Sequence, residues 1–268
     1  MSSRGFTLVE LVAVLVVLAI VGLGVSAFLR LGAGIYADNR DRSLLVDRSR
    51  FLAERLGREL RLAAPNSLRL SSDGRCLEFV PIRQALAYDA APIAPAAAGD
   101  QLAVWDPDAA YVAAAGDRLV INPLRFAQAP LRARDYFPSS AANAAIDAIA
   151  APDGDGRRLL ALAGAHQFPS PSPGRRAFVY GDWQAFCLQG DRLLVMRGVP
   201  VSEAEPAVAL RQGEGWSSVV LASGLTPLSG QPLFTYDQAR ARVQIRLRLG
   251  EKDESMELYH GVAIPNSR

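Results

Sequence analysis

Lysine is nearly missing from this chain: Lys252 is the only one, and arginine supplies the rest of the 29 basic side chains. Against 27 acids they leave a net charge of +2 over 268 residues. So even a balance gives no electrostatic case for nucleic acid as a partner, because that binding rests on neutralising phosphates. Histidine is scarce as well. His166 and His260 stand in no HExxH pattern, and GxSxG and GxxxxGK patterns are absent. No motif meets the requirements of an active site, so the expectation is a chain that is not an enzyme and holds no cofactor. The nearest approach to a metal site is Asp153-Gly154-Asp155-Gly156. It could offer oxygens to Ca2+ but lacks the spaced carboxylates of an EF-hand loop. A solvated turn is the other reading, and no metal is expected.

Two further absences are local. No charged residue occurs from Leu11 to Leu29, and no proline precedes Pro65, although the chain has 17. Nineteen uncharged residues (29 minus 11, plus one) span roughly 28 Å as a helix, close to the hydrocarbon thickness of a bilayer. From Tyr36 to Ala64 the charges return at helical spacing. Leu45, Leu52, Leu56 and Leu60 form one stripe, and Asp38–Arg42 and Glu54–Arg58 form i,i+4 pairs in the favourable order. Pro65 then stops the helix. A single helix from Phe6 to about Ala63 would be roughly 85 Å long, with its first half in membrane and its second half on a head. Gly22, Gly24, Gly32 and Gly34 interrupt it. They suit close packing between membrane helices, or equally a segment able to extend.

The start of the chain says what kind of membrane segment this is. A secretory signal peptide would place a small-residue cleavage site after the apolar run. Here Met1-Ser2-Ser3-Arg4-Gly5 precedes it, and Glu10 lies at its edge. A carboxylate there is costly unless it finds a partner.

Gly5-Phe6-Thr7-Leu8-Val9-Glu10-Leu11 resembles the class III signal of type IV pilins and type II secretion pseudopilins. The resemblance implies a leader of residues 1–5, cut by a prepilin peptidase between Gly5 and Phe6, and N-methylation of Phe6. It implies that Glu10 docks subunits. The physical logic agrees, since a carboxylate in a lipid-like filament core needs a cation and a neighbour's Phe6 amine can supply it. An ordinary signal anchor is the alternative. Many pilins carry a helix-breaking proline at the position of Ala27, so the likeness does not extend there. The implied fold class is α+β, the type IV pilin fold: a long helix over 6–64, membrane-spanning over 6–29, packed on an antiparallel β-sheet head over 65–268. The implied location is the bacterial inner membrane, single-pass, with the head in the periplasm and later in a filament. The implied partners are other pilin or pseudopilin subunits, the prepilin peptidase, an inner-membrane assembly platform and membrane lipid.

Within the head, strands are predicted over Arg69 to Ile82 around Ser72-Asp73-Gly74, and over Ala177 to Val195 around Gln189-Gly190-Asp191. Another pair is predicted over Ala207 to Leu221, with a last strand from Met256 to Ile264. Val243, Ile245, Leu247 and Leu249 alternate with polar residues, the cleanest half-buried strand in the chain. Ser139 to Ala151 suggests a short helix, and Ala85 to Ala115 a loop-dominated stretch. Cys76 and Cys187 both fall in predicted strands, and an oxidising periplasm favours a disulfide between them over two buried thiols. Such a bridge would close 111 positions (187 minus 76) and stabilise by about 4–5 kcal/mol in the chain-entropy model, usually less in practice.

Further segments look like the O-type minor pilins of the mannose-sensitive haemagglutinin (MSHA) pilus system. These are Ser49-Arg50-Phe51, Glu54-Arg55-Leu56, Arg58-Glu59-Leu60, Pro65-Asn66-Ser67, Cys76 to Ile82 and His166 to Gly174. That resemblance implies a low-abundance subunit active in pilus biogenesis, adhesion or DNA uptake. A J-type pseudopilin of type II secretion shares the same plan and is the alternative.

Overall fold

The computed structural model describes residues 7–123, 142–200, 217–237, 239–251 and 254–264. A single helix, α1, runs Leu8–Leu60. At 53 residues it is about 80 Å long. Thr7 caps its start. At its end, Leu62 and Ala63 donate to the carbonyls of Glu59 and Leu60 at 3.1 Å each, tightening the last turn before Pro65. Asn66 takes a left-handed φ of 59°, a conformation that asparagine tolerates. The chain then docks at once on the head, where Ile82 donates to Leu62 O at 2.7 Å and Ala64 to Val80 O at 2.8 Å.

The strands of the head are β1 (Arg69–Leu70), β2 (Cys76–Phe79), β3 (Ile82–Ala90), β4 (Gly99–Trp105), β5 (Arg118–Ile121), β6 (Asn143–Ile149), β7 (Arg157–His166), β8 (Arg176–Tyr180), β9 (Asp182–Gln189), β10 (Arg192–Pro200), β11 (Ser217–Ala222), β12 (Leu225–Pro227), β13 (Phe234–Asp237), β14 (Arg242–Glu251) and β15 (Glu254–Ala263). Every pairing between them is antiparallel. They make three units. One is a five-stranded sheet in the order β1-β2-β9-β10-β11. The second is centred on β14, with β12 and β13 along one edge and β15 along the other. The third is a closed barrel, β3-β4-β7-β6-β5-β8.

One core joins α1 to the two sheets. The expected stripe Leu45, Leu52, Leu56 and Leu60 is buried against Leu77, Phe79, Phe186 and Leu188 of the first sheet and Val243, Ile245, Leu247 and Leu249 of the second. The barrel has its own core, built by alternation. Leu102 and Val104 of β4 and Leu160 and Leu162 of β7 point inward, while Trp105 and Leu159 are exposed. Phe168, in the proline-rich segment after β7, is fully buried in this core, so that segment seals the barrel.

The hairpin around Gly190-Asp191, the turn between β1 and β2, and the strands β14 and β15 lie where the sequence places them. Two expectations are corrected. Asn143–Ile149 is strand β6, not helix, because pairing to β5 and β7 and inward burial of Ala144 and Ile146 override the helix preference of alanine. The stretch 85–115 is not loop-dominated, since it holds most of β3 and all of β4, whose Leu86, Tyr88, Leu102 and Val104 fill the barrel. Of the strand pair expected over Ala207 to Leu221, residues 201–216 lie outside the described residues, and the remainder is in β11.

Candidate functional site

The amino-terminal part of α1 stands clear of the head. From Leu8 to Arg40 only Ser26 is less than exposed, and the apolar side chains over that length are open all round. Leu11 to Leu29 is long and apolar enough to cross a membrane, and none of the most apolar stretch is buried in the protein. An all-round apolar surface with no protein partner has lipid as its fitting solvent.

At the tip of this segment Glu10 is the third residue of a capping box. Its amide donates to the Thr7 hydroxyl at 3.3 Å, and its Oε2 accepts from the Thr7 amide and hydroxyl at 3.3 Å each. Thr7 therefore places a carboxylate at the amino end of a 53-residue helix, where the helix dipole favours it. The Thr-x-x-Glu spacing of Thr7 and Glu10 is the local signal for this cap. Gly5 and Phe6 lie outside the described residues.

Head and helix are tied by charge as well as by the core. Arg42 reaches Glu254 of β15 at 3.1 Å. Glu59, 8 % exposed, accepts from Arg197 of β10 at 3.0 Å and from Gln184 of β9, and pairs with Arg55 one turn earlier. Gly57 is buried under β15, and a Cβ there would meet His260 Nε2 at 3.3 Å. The glycine lets strand and helix approach, which no local pattern announces.

Cys76 of β2 and Cys187 of β9 are direct register partners. Opposed antiparallel residues have Cα atoms about 4.5–5.5 Å apart, inside the range of a disulfide. The structure carries both as buried thiols. The hydrogen bond with Cys76 and burial raise the Cys187 pKa. The pair lies with Ala185, Met196 and Leu194 on the face of the sheet opposite the helix core. On that face Arg69 lies over the Trp183 ring at 3.8 Å and pairs with Glu78 at 3.1 Å. Burial lowers the Arg69 guanidinium to about 10 and raises the Glu78 carboxyl.

The remaining candidates do not converge. His166 packs edge-on against Phe168 at the barrel, and His260 lies under α1. Asp153 accepts from the amides of Asp155 and Arg157 at 2.9 and 2.8 Å, the bonds of a turn. No group of three or more metal-ligating side chains occurs among the described residues.

Residues 1–26 match the family model of the prokaryotic N-terminal methylation motif. That match supports a type IV pilin-like family. No match was found among curated proteins or among solved structures. The motif, the exposed apolar helix and the strand-rich head together fit a pilin-like α+β layout. They point to membrane anchoring, processing by a prepilin peptidase and assembly with other pilin subunits.

Proposed function

We propose that the chain is a minor pilin of an MSHA-type pilus, held in the bacterial inner membrane by α1 with its head in the periplasm. It is cut between Gly5 and Phe6, methylated on Phe6, and delivered by an inner-membrane assembly platform into a filament. Its work there is structural, in pilus biogenesis or adhesion, without catalysis. The observation that carries this reading is the methylation motif over residues 1–26 leading into the apolar stretch of α1 from Leu11 to Leu29, which is unburied among the described residues. Glu10 is the docking charge. At the bilayer edge it is satisfied by Thr7. Inside a filament, where neighbouring helices exclude water, it pairs with the Phe6 amine of the next subunit.

Mass spectrometry of the membrane-extracted protein tests processing, with the mature chain expected to begin at N-methylated Phe6. An intact Met1, or a cut near Ala27, overturns the assignment. Glu10→Ala is expected to insert and be cut normally yet be lost from sheared filaments. Glu10→Asp should fall between. Recovery of the wild-type chain with a secretion pseudopilus instead of a pilus would move the assignment to a J-type pseudopilin.

A further inference from the structure

The outward face of β14 carries arginines at alternate positions, Arg242, Arg246 and Arg248, with Gln244 in the same row and Arg240 just before the strand. The two outer arginines are compensated: Arg240 pairs with Asp237 at 3.1 Å and Arg248 with Glu257 at 2.8 Å. The two inner ones meet no carboxylate among the described residues. Arg246 is held by neutral oxygens, those of Gln244 and Gln231. Arg242 lies across Gly261 of β15, its Nε 3.1 Å from where a Cβ on that glycine would stand. Tyr259, directly opposite Arg246 and 60 % exposed, closes one side of the depression that results. A guanidinium oriented by amide oxygens but lacking an acid is prepared for a carboxylate from outside, because part of the ordering cost of binding is already met.

The depression adjoins a free sheet edge. β15 pairs with β14 from Glu254 to Ala263 and with no other strand among the described residues. Its second edge presents a row of unpaired backbone groups, a template for an added strand. An added strand would lie about 4.8 Å from β15. Gly261 has no side chain to block the way, so an acidic residue opposite it can pass over the glycine to Arg242. A continuous polyphosphate fits less well, because Asp237 and Glu257 flank the row and backbone edge bonds are wasted on it.

We propose that this seam takes an extended acidic peptide segment of another protein, paired along the free edge of β15 with one carboxylate lodged over Gly261 between Arg242 and Arg246. This goes beyond the assembly reading and does not depend on it. The test uses the full chain in detergent micelles at low salt and a fluorescein-labelled octapeptide of alternating Thr and Glu, read by anisotropy. Saturable binding is expected, with the Thr–Gln counterpart weaker by roughly tenfold or more. The double variant Arg242→Gln, Arg246→Gln should lose a similar factor. So should Gly261→Asp, which supplies the carboxylate in cis and displaces only the flexible Arg242 side chain. Arg192→Gln, on another sheet, should change nothing. Absence of saturable binding overturns the proposal, as does equal binding of the Thr–Gln peptide or insensitivity to both sets of variants. Oligothymidylate binding as tightly, with the same sensitivity, would make the seam a general polyanion patch and overturn it too.

Discussion

The two halves of α1 obey different rules although they are one unbroken helix. From Leu8 to Arg40 the apolar residues face every direction and none is buried. From Leu45 to Leu60 a stripe of Leu45, Leu52, Leu56 and Leu60 is buried in the head core, while Val46 and Phe51 stay exposed on the other side. Glycines divide in the same way. Gly22, Gly24, Gly32 and Gly34 have open space around them, whereas Gly57 sits against His260 and Val262. The outer half buries no side chain against the described residues of the head. The inner half is a structural member of the head, like any of its strands.

Leucine truncation should break this comparison most sharply if it is wrong. Leu56→Ala removes a fully buried side chain between two sheets and is expected to cost about 3–5 kcal/mol of head stability. Leu18→Ala, in the open half, should leave the denaturant midpoint of the head unchanged. Equal effects would mean that the halves do not differ as described. The cysteines come next. Protein from an oxidising compartment should show Cys76 joined to Cys187 by non-reducing mass spectrometry. Replacing both with alanine should then cost about 2–4 kcal/mol, again with no effect on the anchor. Two alkylatable thiols and no dependence on reductant would refute the bridge.

Glycine substitutions sharpen the contrast. Gly57→Val drives a branched side chain into His260 and should destabilise by about 1–3 kcal/mol through overpacking. Gly24→Ala should leave the head untouched while making the outer half more helical, by up to about 1 kcal/mol in propensity.

The smallest effect concerns pH. Burial, with Arg61 nearby, lowers the pKa of His260 in the fold, and its Nε2 has no hydrogen-bond partner among the described residues. The unfolded chain therefore takes up this proton at higher pH than the folded one. The stability it permits is fully present above the ordinary value of about 6.5 and is lost as pH falls below it. Thermal melts of wild type and His260→Gln should diverge between about pH 7 and 5, with wild type falling more steeply. Parallel curves would mean that the seam around Gly57 admits the charged ring.

Features that repeat along one segment were legible in the residue order alone. Uncharged length defined the membrane half, leucine spacing defined the buried stripe, and strict alternation from Val243 to Leu249 defined the central strand of the second sheet. The Thr7–Glu10 box was equally local and equally legible. The barrel, by contrast, follows from long-range pairing. Its strand β6 is alanine-rich, β3 and β4 lie beside the alanine- and proline-rich segment 91–98, and all three find partners in the closed barrel. The assembled fold also decided that Cys76 stands opposite Cys187, that Glu59 is met by Arg197 and Gln184, and that Arg242 and Arg246 flank a bare glycine beside a free edge. These are register and packing facts. Register depends on which strands meet across 100 or more positions, such as Cys76 and Cys187, and no periodicity within a segment carries that information.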